Sequence, residues 1–150
     1  MYDFKQVEKM LKDYPIIKAE IKSIEIDMEE IEKSIGFRGA SDDPKPSTPT
    51  YAFSSPVESE ALSIGRQKAI NNLKAEKLAR QKKIDRIENA LSILSEKDEE
   101  IVRLYYFKQM PITSIAYKLD RARSQVYKRK SYAVSSMVNI LNIGLKVIQK

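Results

Sequence analysis

The 150-residue chain has no cysteine and no histidine, only four glycines, and no apolar run long enough to span a membrane. The first two absences together remove disulfides, thiol nucleophiles, zinc fingers, imidazole general bases and most transition-metal sites. No glycine-rich phosphate loop appears, and the carboxylates fall mostly on helix surfaces. The expectation is therefore a protein that is not an enzyme, with no catalytic residues, metal or cofactor. A reducing compartment is permitted by the missing thiols. No segment approaches the roughly 20 apolar residues of a membrane helix, and Met1 to Gln6 offers no signal-peptide core, so the chain reads as a soluble cytoplasmic protein with no membrane partner. Six prolines and a 42% hydrophobic content suit a folded chain rather than a disordered or collagen-like one. The length fits one domain, or a small domain with an appendage.

What is present is charge, unevenly spread. The whole chain carries a formal +6. Residues 1–35 hold 6 basic and 9 acidic side chains, residues 58–94 hold 8 and 5, and residues 95–150 hold 11 and 5. Arg121, Arg123, Lys128, Arg129 and Lys130 fall close together with only Asp120 against them. Such a local field attracts phosphate, although a basic helix face is also often merely solvated.

Periodicity gives the architecture. Val7, Met10, Tyr14, Ile17, Ile21, Ile24, Met28, Ile31 and Ile35 alternate steps of three and four, which is a heptad seam. Pro15 interrupts it, so a short helix is expected to end near Asp13 and a long one to run from Pro15 to Ile35. From Gly36 to Val57 the period is lost among prolines, serines and glycines, with Tyr51 and Phe53 in a loop expected to fold back on the helices. The seam resumes through Ile70, Leu73, Ile84, Ile87, Leu91 and Leu94, with Lys77 and Arg80 at its middle positions, where they weaken packing, set register or face an acidic partner. An antiparallel coiled-coil-like hairpin over 1–94 is the economical arrangement; an intermolecular coil has the same periodicity.

After Leu94, Ser95 with Asp98 three residues on reads as a helix N-cap and its capping-box partner. Ile101, Leu104 and Tyr105 mark one buried face of the helix that follows, and Lys108 to Pro111 ends it. Ile112, Ile115, Ala116 and Leu119 give a two-turn helix, Leu119 to Ala122 a short turn, and a further helix begins near Arg123 with Val126 turned inward. Two short helices, a tight turn, a small Ala116 at the crossing and a basic second helix describe a helix-turn-helix within 95–150. Val134, Val138, Leu141, Leu145 and Ile148 then step as another seam. That apolar C-terminal helix would cover the hairpin or pair with its copy, and a homodimer is the expectation because one recognition helix gains specificity by reading two half-sites. The fold class is all-α.

Leu94-Ser95-Glu96, Glu100 to Tyr106, Ile115 to Leu119 and Arg123 to Val126 together resemble the promoter-reading C-terminal region of bacterial sigma factors over about 45 residues. A heptad hairpin with a proline-rich tip before such a module is similar to phage late-gene transcription regulators of the RinA and ArpU type. The opening Leu11-Lys12-Asp13-Tyr14-Pro15 and the Ser55-Pro56 loop agree with this. The resemblance implies a phage or prophage activator in a bacterial host cell, with a contact to RNA polymerase. Three departures stand out. Pro111 occupies a position usually given to a serine-type cap. Ala122 replaces the Ser or Thr that caps the recognition helix, at a cost of about 1 kcal/mol. Arg129 stands where an apolar residue is expected and would snorkel toward phosphate.

Helix geometry and resemblance converge on double-stranded DNA. Arg123 would fork onto guanine, and Lys128, one turn on, would reach a second acceptor, with Ser124 and Tyr127 on the same face. Thr113, Arg121, Gln125 and Lys130 lie where phosphates would pass. Tyr127 reads equally as a partly packed aromatic. Two other functions remain open: the small subunit of a phage packaging terminase, which also joins a helix-turn-helix to a coiled segment, and a coiled-coil protein-binding adaptor whose basic helix is only solvated.

Overall fold

The computed structural model describes residues 1–39 and 56–148, apart from the side chains of 35–39, 56–59 and 146–148, and is all-helical, with no strand among the described residues. The order is α1 (Phe4–Gly39), α2 (Pro56–Ser92), α3 (Glu96–Val102) running into a π-helical turn (Arg103–Phe107), α4 (Ile112–Leu119), α5 (Arg123–Leu141) and α6 (Ile143–Ile148). The proline- and serine-rich stretch with Tyr51 and Phe53 lies, from residue 40 to 55, outside the described residues.

Pro15 does not divide α1, contrary to the break expected there; the helix runs through it from Phe4 to Gly39. An interior proline forfeits the hydrogen bond to the carbonyl four residues back and strains the turn, at about 3 kcal/mol. Leu11 and Tyr14, just before it, and Ile21, beyond it, are buried. Each buried side chain of this size contributes about 1.5 to 3 kcal/mol, so the apolar seam outweighs the local defect. The second helix begins with Pro56, at the position where proline costs nothing.

The chain forms two compact units, Glu20–Arg80 and Met1–Ala19 together with Gln81–Lys150. The expected division at residue 94 thus meets a different one, in which the base of both long helices belongs with the C-terminal helices. In the first unit Ile21, Ile24 and Ile70 are buried. The two polar seam positions find acidic partners on α1: Lys77 Nζ lies 3.1 Å from Glu25 Oε1, and Arg80 Nε donates to Glu20 Oε2 at 2.5 Å. As the α1 number rises the α2 number falls, which is the antiparallel sense.

In the second unit Val7, Leu11, Tyr14, Ile84, Ile87 and Leu91 are buried. Phe107 stacks on Tyr14 with ring centres 4.0 Å apart. The Tyr14 hydroxyl donates to Glu88, whose carboxylate also accepts from Arg103 at 2.8 Å. Burial works against ionised Glu88, but Tyr14 and Arg103 outweigh it and hold its carboxyl below the ordinary glutamate range. At the other end, Asn142 and Tyr2 exchange backbone–side-chain hydrogen bonds of 2.8 and 2.9 Å, tying the end of α5 to the N-terminus.

α3 continues into the π-helical turn without a break. Lys108 N donates to Arg103 O, five residues back, and Met110 N to Leu104 O, six back, so this turn is wider than an α-helical one. Leu104 belongs to the apolar cluster that joins α3, α4 and α5, whereas Tyr106 is buried outside that cluster and donates to Glu8 Oε1 at 2.6 Å. Burial, followed by the bond to Glu8, pushes the Tyr106 phenol well above its ordinary range.

Candidate nucleic-acid interface

The platform is a closed apolar cluster of Ile101, Leu104, Ile112, Ile115, Ala116 and Val126, flanked by Tyr105, Met110 and Leu119. Ser95 caps α3 as its sequence suggests, accepting from Asp98 N at 3.3 Å. The Asp98 side chain does not reach back to complete a capping box. It is buried, and its Oδ1 faces Arg129 Nε at 3.1 Å without an aligned hydrogen bond, so charge rather than direction holds the pair.

The link between α4 and α5 is set by backbone chemistry. Asp120 takes the left-handed conformation at φ 52°, ψ 53°. Arg121 N then donates to Ala116 O at 2.9 Å and Asp120 N to Tyr117 O at 3.3 Å, the paired bonds of a Schellman stop. Aspartate tolerates this conformation better than most side chains do. Neither Pro111 before α4 nor Ala122 before α5 supplies a side-chain cap, so both helices start with their first N–H groups open to another acceptor.

The site residues expected from the sequence separate into two groups. Arg123, Ser124, Gln125, Tyr127 and Lys128 are exposed on α5, Thr113 is exposed on α4, and Arg121 is half-buried in the turn. Arg121, Arg123 and Lys128 form no ion pair among the described residues. Arg129, although exposed, and Lys130, which is buried, are engaged within the protein instead. Arg129 leans on Asp98 and on the Tyr132 ring rather than outward to phosphate.

Lys130 is only 8% exposed, and its ammonium sits 4.1 Å from the centre of the Tyr105 ring, with Tyr127 at 5.5 Å and Tyr106 at 5.8 Å. The expectation that it lies along the phosphates gives way to this geometry. It occupies the inward face of α5, in step with Val126, Ala133, Val134 and Met137, all fully buried. Cation–aromatic contacts of this kind contribute about 0.5 to 2 kcal/mol.

The apolar C-terminal seam is divided between two helices, with Val134, Val138 and Leu141 on α5 and Leu145 and Ile148 on α6. One helix, α5, carries both the basic face and the first part of that seam, because Val134 and Met137 continue the face that Val126 begins. Tyr127 combines both sequence readings: it is 53% exposed while one side of its ring meets Lys130. Tyr117, at 91% exposed, was missed by the sequence reading. It falls off the apolar stripe of α4 and lines an open groove with Ala116, Asp120, Arg121 and Ala122. Its departure from the stripe is the signal that could have found it. Among the described residues no group of acidic side chains is arranged to hold a metal ion. No helix among them is long and apolar enough to cross a membrane.

No protein-family description, curated protein or solved structure matches the chain.

Proposed function

We propose that the chain is a sequence-specific double-stranded-DNA-binding transcription regulator that reads the major groove with the first half of α5. The observation that carries this reading is the exposed face of Arg123, Ser124, Gln125, Tyr127 and Lys128 on a helix whose opposite face closes the core. Core packing does not account for such a face, and an α-helix of this kind fits the groove. Arg123 and Lys128 take the base edges. Arg121, Thr113, Gln125 and Tyr117, around the turn and on α4, take the backbone. A phage late-gene role and a contact with RNA polymerase rest on the sigma-like and RinA/ArpU-like sequence pattern. A homodimer would use the exposed Ile143 with the half-buried Leu141 and Leu145.

Duplexes selected from a random pool, titrated by band shift at several salt concentrations, test the reading. Arg123→Ala is expected to relax base preference by about 1 to 3 kcal/mol at one position. Arg121→Ala is expected to weaken all duplexes alike and lower the salt slope by about one. If both variants bind as the unaltered chain does, the reading is wrong.

A further inference from the structure

We propose that Lys130 is a positioning residue for the DNA-facing surface: its ammonium, enclosed by three tyrosines, fixes the Tyr127 ring at the edge of that surface and touches no phosphate. The inference rests on the DNA reading of α5. A lysine with 8% exposure must offset the loss of water from its charge. Among the described residues no carboxylate comes within ion-pair distance of it, so the faces of Tyr105, Tyr106 and Tyr127 supply the compensation.

Two of the three walls are held by contacts of their own. Tyr105 and Tyr106 meet edge to face at 4.8 Å, and Tyr106 is anchored through its hydroxyl to Glu8 on α1. Tyr127 is the wall with a solvent side, one turn before Lys130 on the same helix. Its helical neighbours one turn away include Arg123, Ser124 and Ser131, which share the outer face. Held from behind by the cation, Tyr127 presents one ring position to the groove. An apolar side chain at 130 would fill the space but would attract no ring face. The gain is preorganisation, since a side chain already fixed loses less freedom on binding.

The test uses the full chain, with Lys130→Met to keep volume and remove charge, and Lys130→Arg to keep charge. Without DNA, NMR relaxation of the Tyr127 ring is expected to show a restricted side chain in the unaltered protein and in Lys130→Arg, and a mobile one in Lys130→Met. With DNA, the ratio of affinities for the selected duplex and a shuffled duplex of equal composition is expected to fall about threefold to tenfold in Lys130→Met. The salt slope should stay unchanged, and Lys130→Arg should restore most of the ratio. Tyr127→Leu, which leaves the core intact should Lys130→Met fail to fold, is expected to lose the same discrimination, and combining the two changes should cost no more than either alone. A salt slope lowered by about one in Lys130→Met would make Lys130 a phosphate contact and overturn the inference while leaving the DNA reading in place. Equal ring mobility, an unchanged ratio, or additive losses would overturn it too. Failure of the unaltered chain to retain either duplex would sink the DNA reading, and the positioning role with it, even if the ring-mobility contrast persisted.

Discussion

The distal stretch Glu20–Arg80 and the C-terminal helices both interrupt an apolar stripe with cations, and they accommodate them in opposite ways. In the distal stretch Ile21, Ile24 and Ile70 are buried, and Lys77 and Arg80 stay near water, where Glu25 and Glu20 on α1 meet them. In the C-terminal unit Ile101, Val102, Ile115, Val126, Ala133, Val134 and Met137 are fully buried, and Lys130 among them turns to aromatic faces instead. Depth decides the partner. A half-exposed cation keeps most of its hydration, so a carboxylate at the rim adds little, whereas an enclosed one needs contacts that replace water. The two regions should therefore differ in what holds them and in how firmly.

The largest expected difference comes from truncating the core of each. Ile115→Ala opens a cavity in a closed cluster and is expected to cost about 2 to 5 kcal/mol. Ile24→Ala should cost less than half of that, because Met28 and Leu73 are only partly buried and water can enter the space. Urea unfolding followed by hydrogen exchange at each unit's amides measures both. Equal losses would erase the contrast between the regions.

A smaller effect of opposite sign sharpens the contrast inside the C-terminal unit. Ala122→Ser supplies the side-chain acceptor that the start of α5 lacks, and is expected to raise the thermal stability of this unit by about 1 kcal/mol. An unchanged melting temperature would mean that the first N–H groups of α5 are already satisfied.

Much of this was legible in the chain itself. The heptad steps located the buried seams of α1 and α2. The stripe of Ile112, Ile115, Ala116 and Leu119, and the Ser95 cap, outlined the apolar cluster of the C-terminal helices. The misses share a cause. Pro15 reads as a break because a local rule forbids it inside a helix, yet the burial that overrides the rule comes from residues distant in sequence. Lys130 reads as a phosphate ligand because of its type and its basic neighbours. Its spacing from Val126, Ala133, Val134 and Met137 placed it inward all along; only the presence of three tyrosine faces makes that position tolerable. The π turn leaves no mark in periodicity, since one wide turn merely shifts phase between two short apolar sets.

The smallest expected effect concerns the ion pairs of the distal stretch. Arg80 to Glu20 and Lys77 to Glu25 are partly exposed, and such pairs are worth at most about 1 kcal/mol each. At about 1 M salt the screening length falls to roughly 3 Å, comparable to the pair separations themselves. Amide protection in residues 20–34 and 60–80 should then drop by no more than about fivefold, the equivalent of about 1 kcal/mol. Protection around Ile115 and Val126 should change less, because that cluster is apolar and the carboxylate of the adjoining Asp98–Arg129 pair is buried. A much larger loss in the distal stretch would mean that charge, rather than Ile21, Ile24 and Ile70, holds α1 to α2. No loss at all would mean that Lys77 and Arg80 serve only to set the register in which those isoleucines meet.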